Sequence, residues 1–348
     1  MTAAEATQSR TSVNTLPIVL RTGGELVGSF LICLGIYLFS TIGLTLYGPS
    51  YLPFIAIVTG LIYAAVTMML GGVCGCQFNP AITVAAMLVS KTRVLEGVLA
   101  IVAQVLGGVA AGAVTMKVML PTSDAVTVDQ WMLYVNNGFD DGSLLYGQLN
   151  QSGVSFGIAA IIIEVVAGLV IVGTAMRMTD DRGVPRPGYA LAMGVAYGAC
   201  AAVATPVTGA ALNPVRSTGI AVFSAAENLT QNPLDQLWVF WICPVLAAAL
   251  VALPMIVVQM MRGSQTSRIE IVDADDRSDA GTESESESET SVEDVTDADA
   301  ADADADASDA DASDADDVRE SADEHADAEV GDQQADAQGD ADEGVESH

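Results

Sequence analysis

Six long apolar stretches, at about 18–47, 53–73, 94–118, 155–178, 188–208 and 235–261, decide what this chain can fold into. A helix needs about 20 apolar residues to cross a hydrocarbon core of roughly 30 Å. A buried helix of a soluble protein imitates one such stretch, but six in one chain point to a membrane bundle. The N-terminus lacks the charged start and small-residue cleavage site of a removable signal, so the first stretch is expected to remain a span.

Charge is the apparent obstacle, since 51% hydrophobic residues accompany a formal net charge of −31. Its location removes the conflict. Residues 262–348 hold 32 of the 44 acidic and 4 of the 13 basic residues, a net of −28 that leaves −3 for the rest. The chain therefore reads as a nearly neutral apolar body with an acidic appendix. Three domains are expected: an N-terminal cytoplasmic segment (1–17), an apolar membrane body (18–262) and an acidic tail (263–348). The tail is Asp, Ala, Ser and Glu in low-complexity runs, and is expected to be disordered. With two lysines in the whole chain and acidic outer loops, the composition suits the salty cytoplasm of a halophilic archaeon. No nucleic-acid partner fits such a charge, and a partner for the tail is unknown.

Threading six helices from an inside N-terminus puts Arg10, Arg21, Lys91, Arg93, Arg177, Arg182, Arg186 and Arg262 on one side. Asp124, Asp129, Asp140, Asp141, Glu227 and Asp235 fall on the other, with Lys117 the basic exception. The positive-inside rule then places both termini in the cytoplasm of a plasma-membrane protein. The sequons at Asn150 and Asn228 land outside. Cys33, Cys74, Cys76, Cys200 and Cys243 all lie in apolar or re-entrant segments, where small buried hydrophobes are the default reading. Cys74 and Cys76 lack a nearby His or third Cys, so a metal pair is set aside. The two histidines, His325 and His348, lie in the tail. No metal, cofactor or enzymatic chemistry is expected of the body.

The body contains a repeat. Asn79-Pro80-Ala81 and Asn213-Pro214-Val215 stand in matching places of two halves, about 18–120 and 153–262. Each follows the second long helix of its half and precedes a run too short to cross a bilayer, 82–90 and 215–224. Three crossings per half is odd, so the halves are expected in opposite orientations. Asn is a favoured N-cap and Pro a favoured first helical residue. Each motif thus starts a half-helix, and in an inverted repeat the two positive ends meet near the midplane. Such ends facing a narrow wet passage orient water by its oxygen and repel cations.

The segments Gln77-Phe78-Asn79-Pro80-Ala81-Ile82-Thr83-Val84-Ala85 and Thr208-Gly209-Ala210-Ala211-Leu212-Asn213-Pro214-Val215-Arg216-Ser217 resemble the paired signature loops of the aquaporin (major intrinsic protein) family. The resemblance runs from about 20 to 261 and includes Ala103-Gln104 and Trp238–Pro244. It implies an all-α membrane fold of six spans and two re-entrant half-helices, assembled as a homotetramer in the bilayer with one pore per subunit. It places Asn79, Pro80, Ala81, Asn213, Pro214 and Val215 at the pore centre. By gapless spacing against the family pattern, the outer filter maps to Thr59, Ala201, Ala210 and Arg216. The alternative for Arg216 is a structural ion pair.

That filter has no aromatic and no His, so it is unusually wide unless Tyr63 or Tyr197 fills the gap. Ser217 and Phe240-Trp241 are similar to water channels instead. Gln77 replaces the family's usual His, and Val215 its usual Ala. Glu25 and Glu164 lie inside spans, where a charge costs ~2.5–3.5 kcal/mol. Three readings stand for them: helix-end residues reaching the interface, supports of the re-entrant loops, together with Gln104, as the resemblance implies, or a proton relay. Gly107, Gly108 and Gly112 permit close helix packing, within or between subunits. The function expected is a passive channel for water and small uncharged, glycerol-like solutes that excludes ions and protons. The alternatives are a strictly water-selective pore, an ion-coupled transporter, or a closed scaffold using the long loop 119–154 for adhesion.

Overall fold

A computed structural model describes residues 16–47, 51–119, 128–141, 146–153, 155–227 and 229–282. The chain divides into a unit ending at Ser284 and a second unit, Glu285–His348, which lies outside the described residues. So do Arg10, Asp124, Asn228 and the two histidines. The described part is built of helices: α1 (Ile18–Tyr47), α2 (Tyr51–Leu70), α3 (Pro80–Leu88), α4 (Val94–Val114), α5 (Val128–Val135), α6 (Tyr146–Gln151), α7 (Phe156–Arg177), α8 (Tyr189–Thr208), α9 (Pro214–Ser224) and α10 (Pro233–Thr282). A single π-helical turn, Thr115–Met119, follows α4.

Six of these helices are long and apolar enough to span a bilayer: α1, α2, α4, α7, α8 and the first part of α10. Their outward side chains are themselves apolar. Leu61, Leu191, Val195 and Leu253 are each more than 60% exposed, as surfaces meant for lipid are. The helix ends fall within a few residues of the expected ones except at the C-terminus. There α10 runs on to Thr282, twenty residues past the boundary expected at 262. A helix already nucleated in the bundle extends at the small cost of propagation, and from 264 to 279 no Gly or Pro interrupts it.

The short helices α3 and α9 start as the sequence requires. Asn79 (φ −152°, ψ 121°) and Asn213 (φ −147°, ψ 116°) are extended N-caps, each followed by Pro. Their side-chain oxygens accept from the amides of Ala81 (2.9 Å) and Val215 (3.0 Å). The two halves are tied together where α2 crosses α8 and where α4 packs on α9. A Cβ added at Gly60 would fall 2.5 Å from the carbonyl oxygen of Gly194, and one at Gly194 would fall 2.7 Å from that of Gly60. Only hydrogen fits at this crossing. Gly107 faces the α1 backbone at Leu26, while Gly108 and Gly112 face α9 at Val215 and Gly219. These three glycines therefore serve contacts within one chain.

Candidate functional site: the meeting point of two half-helices

The residues ahead of each Asn take the same unusual path. Cys76 and Phe78 have φ of 52° and 47°, and Ala210 and Leu212 have 53° and 54°. These left-handed values occur at the third and first positions before each Asn, and none is a glycine. Such backbone is costly and persists only where its surroundings hold it. Here the buried carboxyls do so. Glu25 accepts from the amides of Gln77 (2.9 Å) and Phe78 (2.7 Å), and from Gln104 Nε2 (2.8 Å). Glu164 accepts from the amides of Ala211 (3.2 Å) and Leu212 (3.0 Å), and from Thr208 Oγ1 (2.6 Å). Gln104 Nε2 also reaches Thr83 Oγ1 at 3.1 Å, linking α4 to the first half-helix.

The two Asn side chains then meet across the halves. Asn79 Nδ2 donates to the Leu212 carbonyl (3.0 Å), and Asn213 Nδ2 donates to the Phe78 carbonyl (2.8 Å). Each strained loop thus offers a carbonyl to the cap of the opposite half-helix. The remaining amide hydrogens are also engaged. Asn79 Nδ2 donates to Tyr197 Oη and Asn213 Nδ2 to Tyr63 Oη, both at 2.9 Å. The Tyr63 and Tyr197 rings stack face to face, with centroids 3.4 Å apart and planes 6° from parallel.

Thr59, Ala201, Ala210 and Arg216 are all buried, at 5% exposure or less. Thr59 precedes Tyr63 by four residues on α2, and Ala201 follows Tyr197 by four on α8, so each shares its tyrosine's helix face. Arg216 sits in the first turn of α9. Its Nη1 is buried with no hydrogen-bond partner, while its carbonyl accepts from Tyr37 Oη. No acid forms an ion pair with it among the described residues.

Sequence reasoning missed the segment between α5 and α6. Asn137, 5% exposed, donates to the carbonyls of Thr208 (3.0 Å) and Gly209 (2.9 Å) and accepts from Ser217 Oγ (2.8 Å). Asn136 accepts from Ser224 Oγ, and the Phe139 amide donates to Gln236 Oε1. This part of the long loop is folded onto the second re-entrant segment. Two Asn in a polar loop gave no periodic signal that would have marked them.

On the face where α1 begins, a cavity of about 360 Å³ is lined by Arg21, Glu25, Gln77, Lys91, Arg93 and Asp181, among others. It leads to the first strained loop. Gln77 Nε2 donates to Thr92 Oγ1 at 2.9 Å, so its side chain lies along the wall. Lys91 Nζ donates to the carbonyls of Met176 (2.8 Å) and Thr179 (2.9 Å) and to Thr179 Oγ1 (3.1 Å). Burial pushes this ammonium below the usual lysine range. Cys74 and Cys76 approach to 3.8 Å between sulfurs as free thiols, and no group of three or more metal-binding side chains occurs among the described residues.

An inverted repeat of membrane-length helices, with two broken helices meeting cap to cap, defines a class of membrane channels and transporters. The chain belongs to the major intrinsic protein family, whose model matches residues 17–254. It is 32% identical over 233 residues to Aquaporin Z of Photorhabdus laumondii, covering 64% of this chain and 90% of the relative. It is 31% identical over 223 residues to Aquaporin Z of Rhodopseudomonas palustris, covering 64% of this chain and 82% of that one. Its fold matches the X-ray structure of the aquaglyceroporin from Plasmodium falciparum at a TM-score of 0.50 and 17% identity, over 68% of this chain and 94% of that one. Members of this family are channels, and this chain is a multi-pass membrane channel rather than an enzyme.

Proposed function

We propose that the channel passively conducts water and small uncharged solutes and excludes ions and protons. The observation that carries this reading is the meeting of the two half-helix N-termini through Asn79 and Asn213. Two positive helix ends at one point repel hydronium and metal cations, while an oxygen lone pair is attracted. Arg216, buried with a free donor, adds a second positive group that favours a neutral, oxygen-bearing solute. Thr59, Ala201, Ala210 and Arg216 form the outer filter on this reading. Asn79, Pro80, Ala81, Asn213, Pro214 and Val215 form the centre, and Glu25, Glu164 and Gln104 hold the loops.

Small side chains at 59, 201 and 210 favour entry of glycerol-sized molecules. Deeper in, the tyrosine stack that occupies the centre favours a strictly water-selective pore over one that passes glycerol. Coupled transport gains no support, because both oxygens of each buried Glu accept hydrogen bonds from their loop. The reading further places both termini in the cytoplasm, the chain in the plasma membrane of a halophile, and the assembly at four copies.

The test is osmotic shrinkage of proteoliposomes in high salt, scored separately for water and glycerol. Water flow well above bare lipid, lost or altered in Arg216→Ala together with gain of ion leak, is expected. Permeability equal to bare lipid for every solute would overturn the channel reading and favour a closed scaffold.

A further inference from the structure

We propose that the stacked pair Tyr63–Tyr197, at the pore centre, is the element that selects solutes by size, in place of the outer filter; this rests on the channel reading above. Its position follows from the helix crossing. Gly60 and Gly194 let α2 and α8 approach until no Cβ fits between them, and each tyrosine lies three residues further along its helix. At the crossing itself, two phenol rings share the space beside the helices, flat against each other with centroids 3.4 Å apart. That separation leaves no room for a solute between the faces.

The hydroxyls sit where a solute would have to bind. Each Asn amide has two hydrogens, and one is fixed on the carbonyl of the opposite loop. The other is held by a tyrosine, crosswise, from Asn79 to Tyr197 and from Asn213 to Tyr63. All four donors of the two caps are therefore filled from within the chain. A passing molecule must take over a donor now held by a phenol oxygen and make room beside the rings. Water does this with one small oxygen. A polyol has to displace both phenols, because its carbon chain spans the region they fill.

The outer positions are consistent with this division of labour. Thr59 and Ala201 lie four residues from Tyr63 and Tyr197 on the same helix faces, about 6 Å away along each axis. Because α2 and α8 run in opposite directions, both steps lead toward the same mouth, the one at which α2 begins and α8 ends. Small residues there admit a solute that then meets the rings one turn deeper. A chain with a wide outer filter can in this way still restrict what crosses.

The test uses the full chain in proteoliposomes and reads water and glycerol permeability for wild type, Tyr63→Leu, Tyr197→Leu and the corresponding Phe variants. Each variant is first checked by size-exclusion chromatography against wild type. Wild type is expected to pass water and hold back glycerol. Either Leu variant is expected to raise the glycerol-to-water ratio about tenfold or more, the scale of size discrimination by a pocket. The Phe variants keep the rings and are expected to keep glycerol out. Should the Leu variants not fold, Tyr63→Val and Tyr197→Val serve instead, with the same rise in the ratio expected. An unchanged ratio in folded Leu or Val variants, or glycerol entry through wild type well above bare lipid, would overturn the tyrosine assignment while leaving the channel reading intact. Absence of water flow in wild type and in every variant would instead overturn the channel reading.

Discussion

Cys76, Phe78, Ala210 and Leu212 hold left-handed backbone without being glycine, a conformation that costs of order 1–3 kcal/mol per residue. Glu25 and Glu164 offset that cost by taking the loop amides that face them. Removing the carboxyl leaves two buried N–H groups without acceptors, at about 1–3 kcal/mol each. Glu164→Ala is therefore expected to lower the thermal midpoint of the detergent-solubilised protein markedly. Glu164→Gln, with one acceptor oxygen in place of two, is expected to fall between wild type and Ala. A Gln variant as stable as wild type would show that one loop amide needs no carboxylate. The matching places of the two acids were legible in sequence, but loop support was there only one of three readings, the one that the family resemblance implies. The contact of Tyr63 with Tyr197 was legible only as two aromatics near a gap. Their pairing depends on how closely α2 and α8 approach, which no residue count supplies.

At the scale of elements, the crossing of α2 and α8 has the tightest tolerance. Gly60→Ala places a methyl 2.5 Å from the Gly194 carbonyl oxygen, so the helices must separate. Overpacking of this kind costs about 1–3 kcal/mol or more. Gly60→Ala is expected to lower stability and to loosen the tyrosine stack, raising glycerol flow in the variant that still folds. Lys91 does comparable work for α7. Its ammonium satisfies carbonyls at the end of that helix, where the dipole favours a positive charge. Lys91→Met is expected to cost about 1.5–3 kcal/mol, the range for hydrogen bonds from a charged group, read as a lower thermal midpoint. The spans themselves were legible from length and apolarity. Which face of each turns to the pore was not, since the helices are apolar nearly all round and periodicity then loses its meaning. The half-helices were legible at their starts because Asn and Pro act locally. The folding of Asn136 and Asn137 onto the second half was invisible because it depends on distant partners.

Over the whole molecule, charge and channel are separated. The body from 1 to 261 carries −3 and the remainder −28. The residues that meet at the pore centre all come from the body. Deleting residues 285–348 is accordingly expected to leave water permeability unchanged while reducing solubility of the purified protein at low salt, where like charges keep copies apart. A permeability that rises or falls on deletion would give the tail a part in gating. The inverted repeat was legible in sequence from two motifs at matching places, and the structure adds how the halves lock: each half-helix cap bonds to the other half's loop and to a tyrosine on the helix crossing between them.

The central claim is that this is a passive channel whose centre, not its outer filter, limits the solute. Wild-type proteoliposomes challenged in turn with an impermeant osmolyte and with glycerol test it most directly. Shrinkage much faster than bare lipid, with glycerol entering no faster than through bare lipid, is the expected result. Glycerol entry well above bare lipid would contradict it and return selection to Thr59, Ala201 and Ala210.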